Sequence, residues 1–133
     1  MTTSTCVDRL LEAITAATFD SDTGTYADDA HLDATVPGWR FMVDGSNAIH
    51  EQYSHWFADK ATFEELHRQQ LADGELIEYT LCWEEGGVPH AAHHLHVLTV
   101  DPTSDLITQD RVFCGGRWPA DLIARMGDAA LGR

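Results

Sequence analysis

A chain of 133 residues can bury a hydrophobic core but is short for two ordinary domains, so we expect a single domain over residues 1–133. Apolar residues make up 44% of the chain and charged residues 23%, which is typical of globular proteins, and no stretch approaches the roughly 18 apolar residues of a membrane span. A formal charge of −14 argues against nucleic acid and anionic lipid as partners, because phosphate contacts require cationic side chains.

Helices are predicted at three places in the first half of the chain. The apolar spacing of an amphipathic helix predicts the first over 5–18. The turn-rich stretch that follows predicts a short helix ending near Tyr26. A further helix is predicted over 47–58, with Ser46 as its N-cap.

A β-hairpin is predicted between the second and third of these helices. Polarity alternates on both sides of a Pro-Gly turn at 37–38, which would place Ala34 opposite Phe41 on an apolar face. Asp33 falls on the opposite, polar face, and we interpret Arg40 as its cross-strand ion-pair partner.

The second half of the chain predicts strands over about 61–72, 75–85, 89–101 and 105–116, separated by turn signals. Pro119 is expected to open a C-terminal helix, because proline is tolerated at a first helical position. Helices followed by a meander of strands indicate the α+β class.

The spacing of the cysteines and the composition of the N-terminus indicate in which cellular compartment the protein is expected. Cys6, Cys82 and Cys114 are odd in number, widely spaced and not in CxxC pairs, so neither a disulfide framework nor a zinc knuckle is indicated. The N-terminus lacks the basic segment and the apolar segment of a signal peptide. We therefore expect a cytoplasmic protein with reduced thiols.

The order of elements, together with "YADDAHLDATVP" and "DGSNAIHEQY", resembles the SnoaL-like branch of the nuclear transport factor 2-like superfamily. Further landmarks are Gly45, just before the third helix, and an I-x-x-x-R pattern from Ile107 to Arg111. The resemblance implies a cone-shaped α+β barrel, in which a curved mixed sheet wraps around three helices and encloses an apolar pocket. It also implies a homodimer through the outer face of the sheet.

The superfamily includes ketosteroid isomerase, limonene epoxide hydrolase, scytalone dehydratase, polyketide cyclases and members without known catalysis, so the fold alone does not select a reaction. Ala34 stands where the isomerase has its aspartate base. Val112 stands at the last aspartate of the hydrolase site, and "YTLCWEE" lacks the RxD of its other pair. The residues at these positions therefore support neither of those two reactions.

A consistent register of the central strands, counted from the proline of "GGVP" and from Ile107, predicts which side chains face the cavity. By the resemblance, His96 stands where the isomerase family has its oxyanion-stabilising acid, and Tyr53 matches a tyrosine that lines the pocket. Most other inward positions are apolar or aromatic, as expected for a pocket wall. The residues expected to bind the ligand are Leu32, Ala34, Trp39, Trp56, Phe57, Tyr79, Leu81, Trp83, Leu98, Val112 and Cys114.

Four histidines lie close together in "HAAHHLHVLTVD", residues 90–101. Strand alternation places His93 on the outer face and both His94 and His96 on the inner face, while His90 lies near the turn. Of the four histidines, only His94 and His96 are therefore candidates for a site inside the sheet.

Antiparallel pairing of the last two long strands would bring His96 close to Asp110 on the inner face. A carboxylate beside an imidazole fixes its tautomer, and such a pair can carry protons near neutral pH. We therefore expect His96, oriented by Asp110, to be the catalytic residue, with His94 and Tyr53 as further proton donors.

Two other interpretations of these histidines stay open. His94 and His96 could supply an H-x-H pair of metal ligands with Asp110 as a third, although Val100 stands where the cupin pattern has a glutamate. Alternatively, both could only satisfy buried hydrogen bonds. We expect no metal and no cofactor.

These observations predict an enzyme for a small, largely apolar substrate, such as a polyketide- or terpenoid-like intermediate. Isomerisation, dehydration and cyclisation are compatible with histidine and aspartate acid–base groups. The alternative is a non-catalytic protein that binds a small apolar or aromatic ligand in the same pocket.

Overall fold

The computed structural model describes residues 5–20 and 24–131, the side chains of 127–131 excepted. Helices and strands alternate irregularly along these residues. In chain order they are α1 (Thr5–Ala16), β1 (Tyr26–Val36), β2 (Trp39–Asp44), α2 (Ser46–Trp56), β3 (Thr62–Leu71), β4 (Gly74–Glu85), β5 (Val88–Asp101), β6 (Leu106–Cys114), β7 (Trp118–Pro119) and α3 (Ala120–Leu131).

The strands form one mixed sheet in the order β2-β1-β6-β5-β4-β3, with β7 paired to β5 beside this path. β1 and β6 run parallel, and the other pairs are antiparallel. Within the described residues β2 and β3 remain the two edges, so the sheet is open rather than closed into a barrel. The α+β class and the mixed sheet predicted from the sequence are confirmed.

The sheet has two faces, which we define by alternating residues of β4 and β5. The inner face carries Tyr79 and His96, and the outer face carries Thr80 and His93. Both α1 and α2 pack on the inner face, where they form the core. The large side chains that are fully buried there include Leu10, Ile14, Phe19, Leu32, Ile49, Tyr53, Ile77, Tyr79, Leu98 and Ile107.

Helix α3 lies on the outer face instead. Its Ile123 and Met126 border a groove together with Thr80 and Cys82, outer-face residues of β4. The sequence predicted one more helix inside, ending near Tyr26. Tyr26 instead begins β1, and residues 21–23 lie outside the described part of the chain. Two of the described helices therefore fill the inner face, and none of them is long and apolar enough to cross a bilayer.

β1 and β2 form the predicted hairpin with the predicted register. Ala34 pairs with Phe41 across a tight turn, in which Gly38 has a φ of 77°. This left-handed conformation favours glycine. Arg40 Nε and Nη2 donate to the Asp33 carboxylate at 2.9 and 2.7 Å, which confirms the cross-strand ion pair.

β1 begins earlier than the sequence indicates. The aspartates of "YADDA" are typical of a turn, yet the segment belongs to β1, whose Tyr26 pairs in parallel with Ile107 of β6. The Ile107 N–H also donates to the Thr25 carbonyl at 2.9 Å. The predicted short helix is wrong at Tyr26 because a distant strand supplies hydrogen bonds that the local sequence does not reveal.

The start of α2 also differs from the prediction. The N-cap is Gly45, with a φ of 95° and no side-chain cap hydrogen bond, and Ser46 is already helical. Gly45 N–H donates to the Ala30 carbonyl at 2.8 Å, which fixes the helix start beside β1. Ser46 is therefore not the N-cap, because the left-handed turn comes one residue earlier.

Candidate active site

A cavity of about 520 Å³ lies between the β1–β2 hairpin, α2 and the inner face of the central strands. Its volume falls within the range of about 300–1,000 Å³ that is usual for small-molecule sites. Its wall is mostly apolar, and in the part of the chain that the structure describes none of the lining side chains is acidic. The lining residues are Val36, Pro37, Trp39, Phe41, Gln52, His55, Trp56, Phe57, Leu81, Trp83, Ala92, His94, Cys114, Gly116 and Arg117.

Aromatic rings form one continuous side of this cavity. Trp39 and Phe41 have ring centroids 4.9 Å apart, and Phe41 meets Trp56 edge-on at 6.0 Å. Trp56 in turn stacks on His94 at 6.1 Å, with an angle of 12° between the rings. Trp39 is 66% exposed at the rim. Such a wall suits a flat, largely apolar ligand.

His94 is the imidazole that reaches the cavity wall. Its Nε2 lies 3.1 Å from Cys114 Sγ, and its Nδ1 is buried without a hydrogen-bond partner among the described residues. Burial, together with the neighbouring His96 and His93, lowers the pKa of His94 to about 3. The ring is therefore neutral near pH 7.

Cys114 stands directly across the strand pair from His94. Its Sγ accepts a hydrogen bond from the Gly116 N–H at 3.3 Å. Burial raises the pKa of the Cys114 thiol, and the Gly116 hydrogen bond offsets this only in part. The pair in the cavity wall is therefore a neutral thiol beside a neutral imidazole.

A second group of polar side chains lies behind the wall, centred on Asp110. Tyr26 and Tyr53 each donate a hydroxyl hydrogen bond to Asp110 Oδ2 at 2.7 Å. His96 Nδ1 lies 2.9 Å from Asp110 Oδ1, and His96 Nε2 lies 2.9 Å from the Tyr79 hydroxyl. We call these five residues the Asp110 network, and none of them is more than 4% exposed.

The pKa shifts of Asp110, Tyr26 and Tyr53 indicate which groups of the Asp110 network are charged. Burial raises the pKa of Asp110, but His96 and the two tyrosine hydroxyls outweigh it, so the pKa lies below its usual value. Burial, followed by the Asp110 carboxylate, raises the pKa of Tyr26 and Tyr53 well above the usual value. The network therefore holds an ionised aspartate between neutral tyrosines.

The structure separates the predicted site residues into two groups. The wall contains His94 and six of the predicted ligand contacts, and His96 does meet Asp110 as predicted. Alternation along a strand indicates which face of the sheet a side chain lies on, but not whether it lines the cavity or is buried beneath it. α1 and α2 pack over the part of the inner face beyond the cavity. The predicted residues in the wall are Trp39, Trp56, Phe57, Leu81, Trp83, His94 and Cys114. The predicted residues buried behind it are Leu32, Ala34, Tyr53, Tyr79, His96, Leu98, Asp110 and Val112.

The sequence did not predict three residues of the site, Tyr26, Gln52 and Arg117. Tyr26 is separated from the regular part of β1 by a register shift between Tyr26 and His31, so alternation from Ala34 does not predict its face. Gln52 lies four residues before Trp56 on α2, so the helix face that the two residues share would have indicated it. Arg117 follows the end of β6, where no periodicity applies, and no signal in the sequence marks it.

The remaining histidines of the run lie where alternation places them. His93 on the outer face contacts Thr80 Oγ1 at 2.7 Å and Glu78 Oε2 at 2.8 Å. His90 stacks on Trp83 near the turn, at 5.8 Å. Over residues 5–20 and 24–131 no three His, Cys, Asp or Glu side chains converge as a metal site would require.

Comparisons with known proteins bear on the fold. No protein-family model and no curated protein matches the chain. A candidate isomerase from Bacillus subtilis superposes with a TM-score of 0.66 at 15% identity, over 83% of this chain and 86% of that one. A candidate SnoaL-like polyketide cyclase from Shewanella putrefaciens gives 0.66 at 11% identity, over 96% and 84%.

A further solved structure has a bound ligand. It is a hypothetical protein with a ketosteroid isomerase-like fold from Catenulispora acidiphila, in complex with trimethylamine, with a TM-score of 0.62 at 19% identity, over 86% of this chain and 88% of that one. An NTF-2 like protein of unknown function from Burkholderia xenovorans gives 0.58 at 18% identity, over 83% and 80%. At these identities the likeness establishes the fold, and the chain therefore has the nuclear transport factor 2-like fold that its sequence resembles.

Proposed function

We propose that this protein is an enzyme that moves a proton on a small, largely apolar substrate held in the aromatic cavity. The observation that carries this proposal is His94, a neutral imidazole in the wall with one nitrogen that has no partner among the residues the structure describes. An unsatisfied buried polar atom costs about 1–3 kcal/mol, which a hydrogen bond from a ligand would recover. The substrate class we propose is a polyketide- or terpenoid-like intermediate.

His94 replaces His96 as the residue that meets the substrate in this proposal. Both nitrogens of His96 already have partners in the Asp110 network, and His96 is not in the cavity wall. The network then acts as a fixed support for the inner face of β5 beneath His94. Asp110 and Tyr53 belong to that support.

The chemistry we propose is proton removal next to a carbonyl group. When Nε2–H of His94 donates to Cys114 Sγ, the lone pair of Nδ1 is free to accept a proton. A base of low pKa stays unprotonated at neutral pH, as the carboxylate bases of isomerases do. Gln52, His55 and Arg117 line the same cavity and offer hydrogen bonds to a carbonyl oxygen. Isomerisation, dehydration and cyclisation can each begin with this step.

The solved neighbours favour this class of function. Two of them are described as a candidate isomerase and a candidate polyketide cyclase, and another holds trimethylamine, a small molecule. The alternative function is non-catalytic binding of an apolar or aromatic ligand in the same cavity. Burial of the Asp110 network favours this alternative, because it leaves His96 outside the cavity wall.

We also propose a homodimer through the outer face of the sheet, as the sequence resemblance implies. Met42 is 56% exposed and Phe113 is 39% exposed on that face. Exposed apolar side chains of this size are stabilised when a partner removes them from water. The cytoplasmic location remains a prediction from the sequence.

Deuterium uptake by β-tetralone, a fused bicyclic ketone with acidic protons beside its carbonyl, tests the proposed enzyme. We expect the protein in D₂O to accelerate the uptake measured by proton NMR. The His94→Gln variant should be slower by about 100-fold or more, as for loss of a general base. His67→Gln is the matched control, because His67 is exposed on β3 and does not line the cavity, and it should exchange at the original rate.

Binding of β-tetralone, followed by tryptophan fluorescence, separates the two candidate functions. Trp56 and Trp83 line the cavity and report its occupation. Equal exchange rates for His94→Gln and the original protein would contradict the enzyme proposal. Binding without any accelerated exchange would favour the non-catalytic alternative.

A further inference from the structure

The thiol of Cys114 has a setting that the other two cysteines lack. Its Sγ lies 3.1 Å from His94 Nε2, and antiparallel pairing of β5 with β6 fixes the two residues opposite each other. Cys6 Sγ lies 3.6 Å from an Asp105 carboxylate oxygen, and Cys82 Sγ lies 3.3 Å from a Glu64 carboxylate oxygen. A carboxylate disfavours the thiolate, whereas an imidazole can accept the thiol proton.

The surroundings of Cys114 also point to a ligand. Cys114 and His94 both line the aromatic cavity. His94 is only 5% exposed, and its Nδ1 has no partner among the described residues. The Gly116 N–H holds the sulfur at 3.3 Å, so the thiol hydrogen is left to point toward His94 Nε2. A cysteine, a base and a ligand cavity therefore meet at one place.

We propose that Cys114 is a nucleophile that adds reversibly to apolar α,β-unsaturated carbonyl compounds bound in the cavity, with His94 as its base. This inference depends on the cavity of the proposed function but not on proton removal from a ketone. It uses the other tautomer of His94, in which Nε2 accepts the thiol hydrogen. The chemical class of ligand is an enone of one or two rings.

The addition needs no further reactant. The thiol proton passes to His94 Nε2 as the bond between sulfur and the β-carbon forms, and the electron pair of the carbon–carbon double bond moves into an enolate. The imidazolium then returns its proton to the α-carbon, so the net change is addition of S–H across the double bond. Elimination reverses these steps, and rotation about the single bond of the adduct would interconvert cis and trans enones.

Concerted proton transfer explains how a buried thiol can react. Burial raises the pKa of Cys114, so little thiolate exists before a ligand binds. A thiol of higher pKa is a stronger nucleophile once its proton leaves. Because His94 is in contact with the sulfur, the proton can leave as the carbon–sulfur bond forms.

Adduct formation with trans-chalcone, measured by intact mass and peptide mapping of the full chain, tests the proposal. We expect one adduct per chain at Cys114, formed faster than any adduct at Cys82. Cys114→Ser should lose it, and saturated dihydrochalcone should protect Cys114 by occupying the cavity. His94→Gln should slow the reaction by at least about tenfold, as expected when a general base is removed.

Cys82 provides the control for folding. Its reaction with N-ethylmaleimide should be the same in His94→Gln as in the original protein, because Cys82 lies on the outer face. Absence of a chalcone adduct at Cys114 would overturn the proposal, as would an unchanged rate in a folded His94→Gln variant. The mass readout is independent of deuterium uptake by β-tetralone, so the thiol reaction and the proposed proton transfer can fail separately.

Discussion

Two histidines on the same face of one strand have opposite surroundings. His96 is fully buried, and both of its ring nitrogens have partners, Asp110 and Tyr79. His94 is in the cavity wall, with a weak thiol partner on one nitrogen and none on the other among the described residues. His94 can therefore bind a ligand without breaking a strong hydrogen bond of the protein.

The low pKa of His94 predicts how stability depends on pH. It is about 3 in the folded protein against a usual value of 6.5, so between these values the unfolded state binds a proton that the folded state does not. The free energy of unfolding therefore rises with pH across this window and falls on acidification, by up to about 1.4 kcal/mol per pH unit.

His94→Phe should remove this contribution, because phenylalanine does not titrate. Urea unfolding at several pH values inside the window should give a shallower pH dependence for the variant than for the original protein. The two proteins should converge in slope above the window. Equal slopes inside it would show that His94 is not held neutral by the fold.

The charge of Asp110, unlike the neutral ring of His94, is expected to stabilise the folded state. Asp110→Asn should lower the free energy of unfolding by about 1.5–3 kcal/mol near pH 7, because it weakens the buried hydrogen bonds that join the carboxylate to Tyr26, Tyr53 and His96. Because the pKa of Asp110 is lowered on folding, this stabilisation is present near neutral pH and is lost as the pH falls through the folded value. Asp33→Asn is the matched control, because its partner Arg40 is 60% exposed. Urea unfolding should show a smaller loss for Asp33→Asn, and equal losses would contradict the importance of the Asp110 network.

Arg68 of β3 joins α1 to the sheet through two ion pairs, a buried one with Glu75 of β4 and a more exposed one with Asp8 of α1. Glu75 on the inner face of β4 is fully buried and accepts hydrogen bonds from Nε and Nη2 of Arg68 on β3. Arg68 Nη1 also donates to the Asp8 carboxylate of α1 at 2.7 Å. One guanidinium therefore neutralises a buried carboxylate and holds the first helix.

Arg68→Met should destabilise the protein by about 3–5 kcal/mol, because it leaves the Glu75 carboxylate buried without a partner. The double variant Arg68→Met, Glu75→Leu should recover most of this loss, since no buried charge then remains. Urea unfolding of the three proteins measures both effects. A double variant as unstable as the single one would show that the ion pair is not the cause.

Elements with local signals were predicted well from the sequence. The β1–β2 register followed from alternation around a Pro-Gly turn, and the long strands end within a few residues of their predicted limits. The start of β1 at Tyr26 was missed because its partner Ile107 is remote in the chain. The cavity wall was predicted in part, because alternation indicates which side chains point inward but not that Tyr53 of α2 packs over His96.

The cavity differs in charge from the rest of the chain. The chain has 22 acidic residues, yet in the described residues no acidic side chain lines the cavity. Arg117 in the wall stacks over Trp83 at 5.2 Å and pairs with Glu85, which neutralises it. This distribution of charge supports our proposal of a neutral, largely apolar ligand.

Side-chain nitrogen NMR of the histidines during titration with β-tetralone tests most directly whether a cavity ligand meets His94. We expect the ring nitrogens of His94 to shift as the cavity fills, because the ligand then lies against a ring whose Nδ1 has no partner among the described residues. Those of His96 should stay in place, since Asp110 and Tyr79 already hold both of them. Shifts at His96 with His94 unchanged would contradict the assignment of the site to the cavity wall.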